Sequence, residues 1–184
     1  MKSLLRFALC LLALSCVAGA TSFSFTYNGT GDSGPDWVNA TLFTTNNGGG
    51  MYTVTSGTGH YSGPSGSYFI TLFPNPNAPN PAYEPYGSFI YDNLLFPGSA
   101  PVLNSNGLMF LIPSDPAPQY LNIWGTGPES YAAYTSDATQ HYPTETTGTI
   151  TLTPSPEPMS LALMGVGLVG LGLLRRKRVR QPLR

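Results

Sequence analysis

Aromatic and polar side chains alternate along Phe23-Ser24-Phe25-Thr26-Tyr27, the period-two signature of a strand with one buried face. Asn28-Gly29 and the Gly/Asp/Ser cluster up to Pro35 end it. A second strand is predicted over residues 37–45, and Asn46-Asn47-Gly48-Gly49-Gly50 reads as the turn of a hairpin into residues 51–56. That turn is long for a tight two-residue connection, which leaves the register of the hairpin open. Residues 68–73 form a compact strand that is apolar or β-branched on both sides. Further strands are predicted at 88–91, 108–112, 120–124, 131–134 and 149–153, separated by Gly, Pro and Asn turns. Nothing between them has a helical period, and the strong helix formers are scarce. Short strands at regular spacing predict an all-β domain, an antiparallel sandwich-like ectodomain.

Prolines are densest in this pattern at Pro74-Asn75-Pro76-Asn77-Ala78-Pro79-Asn80-Pro81. Neither a helix nor a central strand can run through such spacing. A stiff, extended surface loop is the plainer reading. The sharper one, a proline-rich ligand segment, lacks flanking basic residues.

Two other apolar stretches lie at the ends. Lys2 and Arg6 precede an apolar run over 7–17, and Ala18-Gly19-Ala20 follows it. A basic start, a short apolar run and a small-x-small site make residues 1–20 a secretory signal peptide, a signal helix cut after Ala20 by signal peptidase. An uncleaved anchor is disfavoured because the run is short of about twenty residues. A lipoprotein signal ending at Cys16 is disfavoured because Ala13 stands where such sites usually have Leu. At the other end, Pro154-Ser155-Pro156-Glu157-Pro158 precedes an apolar segment, residues 159–174, and then Arg175, Arg176, Lys177, Arg178 and Arg180. Sixteen residues make a helix of about 24 Å. Arginines that snorkel let so short a segment serve as a single transmembrane helix. The basic stop at 175–180 puts the C-terminus in the cytoplasm and the preceding domain outside.

Charge sharpens this division. All eight Lys and Arg residues lie in the terminal segments, in the first ten and last ten residues. Between Thr21 and Thr153 stand Asp32, Asp36, Glu84, Asp92, Asp115, Glu129, Asp137 and Glu145 with no Lys or Arg, so the formal charge of −1 conceals an acidic middle. Such a surface excludes nucleic acid, whose binding depends on Lys and Arg contacts to phosphate. Both cysteines, Cys10 and Cys16, fall in the signal segment, so the 21–153 ectodomain is held by packing and sheet hydrogen bonds without disulfides. It is long enough to bury about two-thirds of its unfolded surface.

Candidate chemistry is thin, and no catalytic residue, metal ligand or cofactor site is assigned. Gly31-Asp32-Ser33-Gly34-Pro35 nearly spells a serine-protease nucleophile loop, but Ser33 has no preceding histidine to take its proton. Gly165-Val166-Gly167-Leu168-Val169-Gly170 matches a dinucleotide fingerprint inside an apolar run, where neither the strand before it nor the acidic residue after it exists. His60 and His141 are isolated from other ligands in sequence. Asp32 and Asp36 are a weak pair for Ca²⁺. Asn28-Gly29-Thr30 and Asn39-Ala40-Thr41 match the glycosylation pattern, which matters only where the machinery exists. Trp37, Trp124 and many tyrosines either form the core or stack on sugar rings. Thr149, Thr151 and Thr153 make one threonine face, too little on a single strand to define a surface for ordered water.

Pro156-Glu157-Pro158, a Gly/Leu-rich apolar segment and a terminal arginine cluster resemble the PEP-CTERM sorting signal of Gram-negative bacteria, also catalogued as an ice-binding-protein C-terminal domain. The resemblance covers residues 154–180, with Met159-Ser160 where members often carry Ser-Thr. It implies recognition by an exosortase that cleaves near the Pro-Glu-Pro, with Pro156, Glu157 and Pro158 as the recognition element and the basic cluster as the stop. Members tend to occur in bacteria that make exopolysaccharide. Tyr91-Asp92-Asn93-Leu94-Leu95-Phe96-Pro97, Asn106-Gly107-Leu108 and Leu121-Asn122-Ile123-Trp124-Gly125 are similar to ectodomains that carry this tail. The resulting expectation is a non-enzymatic exported protein of the cell envelope or extracellular matrix. Before processing it spans the inner membrane once. The alternative is a carbohydrate-binding module for the cell's own exopolysaccharide matrix, and a secreted hydrolase with paired carboxylates ranks last.

Overall fold

The computed structural model describes residues 21–64, 66–85, 87, 89–114, 117–136, 145–155 and Gly167. Strands β1 (Thr21–Gly31), β2 (Gly34–Gly48), β3 (Met51–Gly63) and β4 (Gly66–Leu72) come first. The short β5 (Ala82–Tyr83), β6 (Ile90–Tyr91) and β7 (Leu94–Leu95) follow, then β8 (Leu108–Ile112), β9 (Gln119–Gly127), β10 (Ser130–Ser136) and β11 (Glu145–Ser155). The chain is all-β there, as its alternation predicts.

The sheet does not stack as two layers. Its order is β2-β1-β11-β10-β9-β8-β4-β3, and β3 pairs back onto β2, so eight antiparallel strands close into a barrel. β7 pairs with β3 at Tyr52 and Thr53, and β5 with β6 makes a separate two-stranded sheet. The sandwich-like expectation is therefore corrected to a barrel. Alternation cannot separate the two, because both architectures bury one side of every strand. What closes the ring is the length of the β2–β3 hairpin together with pairing of the first strand to the last. The signal segment, the 159–174 segment apart from Gly167, and the basic stop lie outside the described residues. Among the described residues no helix is long and apolar enough to cross a membrane.

The strands run longer than their apolar cores. In β2 every second residue from Asp36 to Thr44 is buried and the intervening ones are exposed, so one side of the ribbon faces the barrel interior. Gly48 pairs with Met51, which leaves Gly49-Gly50 as a two-residue turn with φ of 63° and 81°. Left-handed values at both positions match the right-handed twist of the flanking strands. Asn46 Oδ1 accepts the Gly48 N–H at 2.7 Å beside a bulge, which absorbs the extra residues that make the connection look long in sequence. β11 starts at Glu145 and continues through Pro154 to Ser155, with Phe23 opposite Pro154.

Two apolar clusters form. Phe23, Phe25, Val38, Leu42, Ile70, Leu108, Phe110, Leu121 and Ile123 are among the residues filling the barrel. Because side chains alternate, Met109 and Tyr120 point the other way. They meet Ala82, Phe89 and Tyr91 in a smaller cluster on the outer wall, with Phe73 and Tyr134 packed against it. The proline-rich segment is not a stiff extended loop. Asn75 folds it back on itself, accepting the Asn77 N–H at 2.8 Å and donating to the Asn80 carbonyl at 2.8 Å and, at 3.3 Å, to that of Asp92.

Candidate functional site

The three motifs at Tyr91–Pro97, Asn106–Leu108 and Leu121–Gly125 are far apart in sequence and meet at one node. Asp92 is buried. Its Oδ1 accepts the Leu94 N–H at 3.0 Å, and its Oδ2 accepts the side-chain amides of Asn104 at 2.5 Å and Asn106 at 3.0 Å. Asn104 Oδ1 in turn accepts the N–H groups of Asn106 and Gly107 at 3.1 and 3.0 Å, and its carbonyl accepts the Gly125 N–H at 2.8 Å. Asn93, fully buried at φ 56°, spans three segments. It donates from Nδ2 to the Phe73 carbonyl and from its N–H to that of Gly107, and it accepts the N–H groups of Met109 and Val54. Asn is one of the few side chains at ease in the left-handed region. Gly107 has φ 72°, and a Cβ there would sit 2.0 Å from the Ile123 carbonyl oxygen, so only glycine lets the turn press against β9.

This node holds one wall of a groove of about 370 Å³ on the outside of β9 and β10, lined by Phe89, Ile90, Ser105, Asn106, Asn122, Trp124 and Tyr134. Asn122 faces Tyr134 across the β9–β10 ladder, and Trp124 lies two residues on, diagonal to it. That diagonal brings Trp124 and Tyr134 edge-to-face at 5.0 Å, and Tyr134 leans on Phe89 at 6.2 Å. Asn122 is 3 % exposed; its Nδ2 donates to the Ile90 carbonyl at 3.0 Å, while its Oδ1 has no hydrogen-bond partner among the described residues. An unpartnered buried carbonyl oxygen is costly unless something supplies a donor. Among the described residues the lining contains no ionisable side chain other than Tyr134. Aromatic surface beside neutral amides and a serine hydroxyl can stack on a sugar ring and hydrogen-bond to its hydroxyls.

A second polar group lies inside the barrel. Asp36, 2 % exposed, accepts the Tyr61 hydroxyl on Oδ1 at 2.9 Å and the Thr146 hydroxyl on Oδ2 at 3.1 Å; Tyr27 shares a hydrogen bond of 2.9 Å with Thr146. Burial pushes the Tyr27 phenol up to about 12; the Asp36 charge adds to that rise and the Thr146 hydrogen bond works against it. Both Asp36 oxygens are thus engaged by hydroxyls inside the barrel, whereas Asp32 is exposed in the β1–β2 turn, so the two do not form a shared oxygen cage. Nothing in the sequence near Asp36 pointed to Thr146, 110 residues away.

Other expected positions fall as follows. Ser33 lies in the exposed β1–β2 turn. His60 is exposed on β3 with its ring edge-on to Phe69 at 5.5 Å. Of the acids, Asp36, Glu84 and Asp92 are buried and Asp32 and Glu129 exposed. No three His, Cys, Asp or Glu among the described residues are placed to hold a metal. Ala18, Ala20, Pro156, Glu157, Pro158, the arginines and lysine of the basic stop, His141, Asp115, Asp137 and the Glu145 side chain lie outside what the structure describes. Trp37 is exposed and Trp124 half-buried, so neither belongs wholly to the core. Comparison of the chain with protein-family models, curated proteins and solved structures returns no match.

Proposed function

We propose that this chain is an exported, non-enzymatic protein of the cell surface or extracellular matrix whose barrel holds neutral saccharide in the Trp124 groove. The observation that carries the saccharide reading is the groove itself. An edge-to-face Trp124–Tyr134 pair stands beside Asn106 and Asn122, with no charged group among the described lining residues. Rigid aromatic surface with few, neutral hydrogen-bonding groups suits a polyhydroxylated ring better than an anion or a peptide terminus. The barrel also wears its polarity as a water-soluble domain does. Its interior is mainly apolar around the Asp36 hydrogen bonds, and the outward positions of β2 are Asn39, Thr41 and Thr45 alongside Trp37 and Phe43, the reverse of a membrane-spanning barrel.

Export rests on the sequence. The 1–20 signal, the Pro156-Glu157-Pro158 element and the basic stop route the chain through signal peptidase and an exosortase, with a single inner-membrane pass before processing and a cytoplasmic C-terminus. Replacing Pro156, Glu157 and Pro158 by alanine leaves full-length protein in the inner membrane. Normal release of that variant defeats the sorting reading.

Residues 21–155 contain both the first and the last strand of the ring and are the unit for binding work. Calorimetric titration with a panel of neutral oligosaccharides gives binding, and Trp124→Ala weakens it by about tenfold or more, as loss of a central aromatic anchor does. Equal binding by Trp124→Ala, or no binding by the native barrel, overturns the saccharide reading.

A further inference from the structure

We propose that the barrel carries a second neutral-polymer face opposite the groove, so that one molecule bridges two polymer chains. The ligand class rests on the groove reading above; the face itself rests on cross-strand register. Five neighbouring strands, β11, β1, β2, β3 and β4, align their outward residues in ladders. One ladder is Thr149, Asn28, Trp37, Ser62 and Ser67. The next is Thr151, Thr26, Asn39, His60 and Phe69. The third is Thr153, Ser24, Thr41, Thr58 and Thr71. Every one of these side chains is partly or fully exposed. The threonines of β11, too few by themselves, are one column of this array.

The array contains no Asp, Glu, Lys or Arg, although the middle of the chain holds eight acids. Of the acids whose side chains are described, Asp32 and Glu129 lie in turns and Asp36, Glu84 and Asp92 are buried. Among the described side chains of this face an anionic polymer finds no Lys or Arg, and a cationic one finds no Asp or Glu. What the face does present is hydroxyls and amides around exposed rings, with Trp37 at 39 %, Phe69 at 52 % and, further along β2, Phe43 at 46 %. Large exposed aromatics clustered on one side of a water-facing sheet mark a contact surface. Strand spacing of about 4.8 Å and about 6.8 Å between ladders put the Trp37 and Phe69 backbones about 12 Å apart, close enough for one stretch of polymer to meet both rings.

Position makes the pairing of sites informative. β2 is the middle strand of the face, and three strands separate it from β9 in either direction round the ring. β9 carries Asn122 and Trp124 of the groove. Sites on opposite walls cannot both lie along one straight chain, so occupancy of both joins two chains and raises avidity for a meshwork.

The test uses hydroxyethyl cellulose in solution, insoluble cellulose and dextran as neutral probes, a cello-oligosaccharide for the groove, and alginate as the anionic control. The native barrel raises the light scattering of hydroxyethyl cellulose and leaves alginate unchanged. The Trp37→Ala/Phe69→Ala double variant, and separately Thr58→Glu, which sets one charge in the array without removing a ring, abolish that rise. Trp37→Ala leaves Trp124 as the single tryptophan of the barrel, so its fluorescence follows cello-oligosaccharide in the groove and keeps its native titration. Undiminished scattering in both face variants overturns the proposal. So does a dimeric native barrel that these variants render monomeric without changing retention on cellulose, since the face is then a contact between copies. Loss of oligosaccharide binding only in Trp124→Ala, with unaltered bridging in the face variants, keeps the groove and removes the face. The converse, face variants lost from insoluble cellulose while Trp124→Ala binds normally, removes the groove reading and keeps the face. Binding of none of the neutral probes removes both.

Discussion

Asp92→Ala removes the centre of the polar node and is the sharpest test of how the groove is held. The carboxylate accepts three hydrogen bonds, from the Leu94 N–H at 3.0 Å and the amides of Asn104 and Asn106 at 2.5 and 3.0 Å. Hydrogen bonds to a charged group contribute about 1.5–3 kcal/mol each, and they share one acceptor, so their sum overstates the effect. The alanine variant also leaves the Leu94 N–H in a buried setting without its acceptor. A loss of about 3–5 kcal/mol follows, a large share of the ~5–15 kcal/mol that holds a domain of this kind. With a urea slope of about 2 kcal/mol/M, the unfolding midpoint falls by roughly 2 M. Asp92→Asn keeps one acceptor oxygen but turns an amide toward other amides, and its midpoint lies between alanine and native. Urea titration followed by far-UV circular dichroism reads all three proteins. An Asp92→Ala midpoint within about 0.5 M of native refutes the view that Asp92 ties the three segments together.

Alkaline titration tests the interior network. Tyr27 has a folded pKa near 12 against an ordinary 10, so the unfolded chain ionises first as pH rises. Its contribution to stability is intact below about pH 10 and is lost between about pH 10 and 12, amounting to roughly 2–3 kcal/mol. Tyr27→Phe shows a shallower decline over that range in thermal melts. Gly107→Ala meets both a left-handed φ of 72° and the Ile123 carbonyl, so it destabilises by about 3 kcal/mol or prevents folding, as urea midpoints will record. Gly49→Asn, at φ 63° with nothing within 4 Å of its would-be Cβ, is neutral or stabilises by a few tenths of a kcal/mol, detected as an unchanged or raised melting temperature.

Neighbouring residues carried much of the fold. A short apolar run bounded by turn residues placed a strand at Leu108–Ile112 with its bounds intact, and alternation located the inward side of β1, because burial of one side imposes period two there. The acidic, cysteine-free middle and the saccharide-or-core ambiguity of its aromatics were equally plain in the composition. Closure was not, since a barrel and a sandwich ask the same pattern of each strand and differ only in which strands become neighbours. The groove joins Phe89 to Trp124 and Tyr134, and the Asp92 node draws on Asn104 and Asn106. The Tyr27–Thr146 hydrogen bond spans 119 residues. The uncharged face exists only once β11 lies beside β1 and β3 beside β4, which sets residues from both ends of the domain into common ladders. Such contacts depend on register between distant strands. Local spacing says which side of a strand faces water, and only the closed sheet decides what stands next to it there.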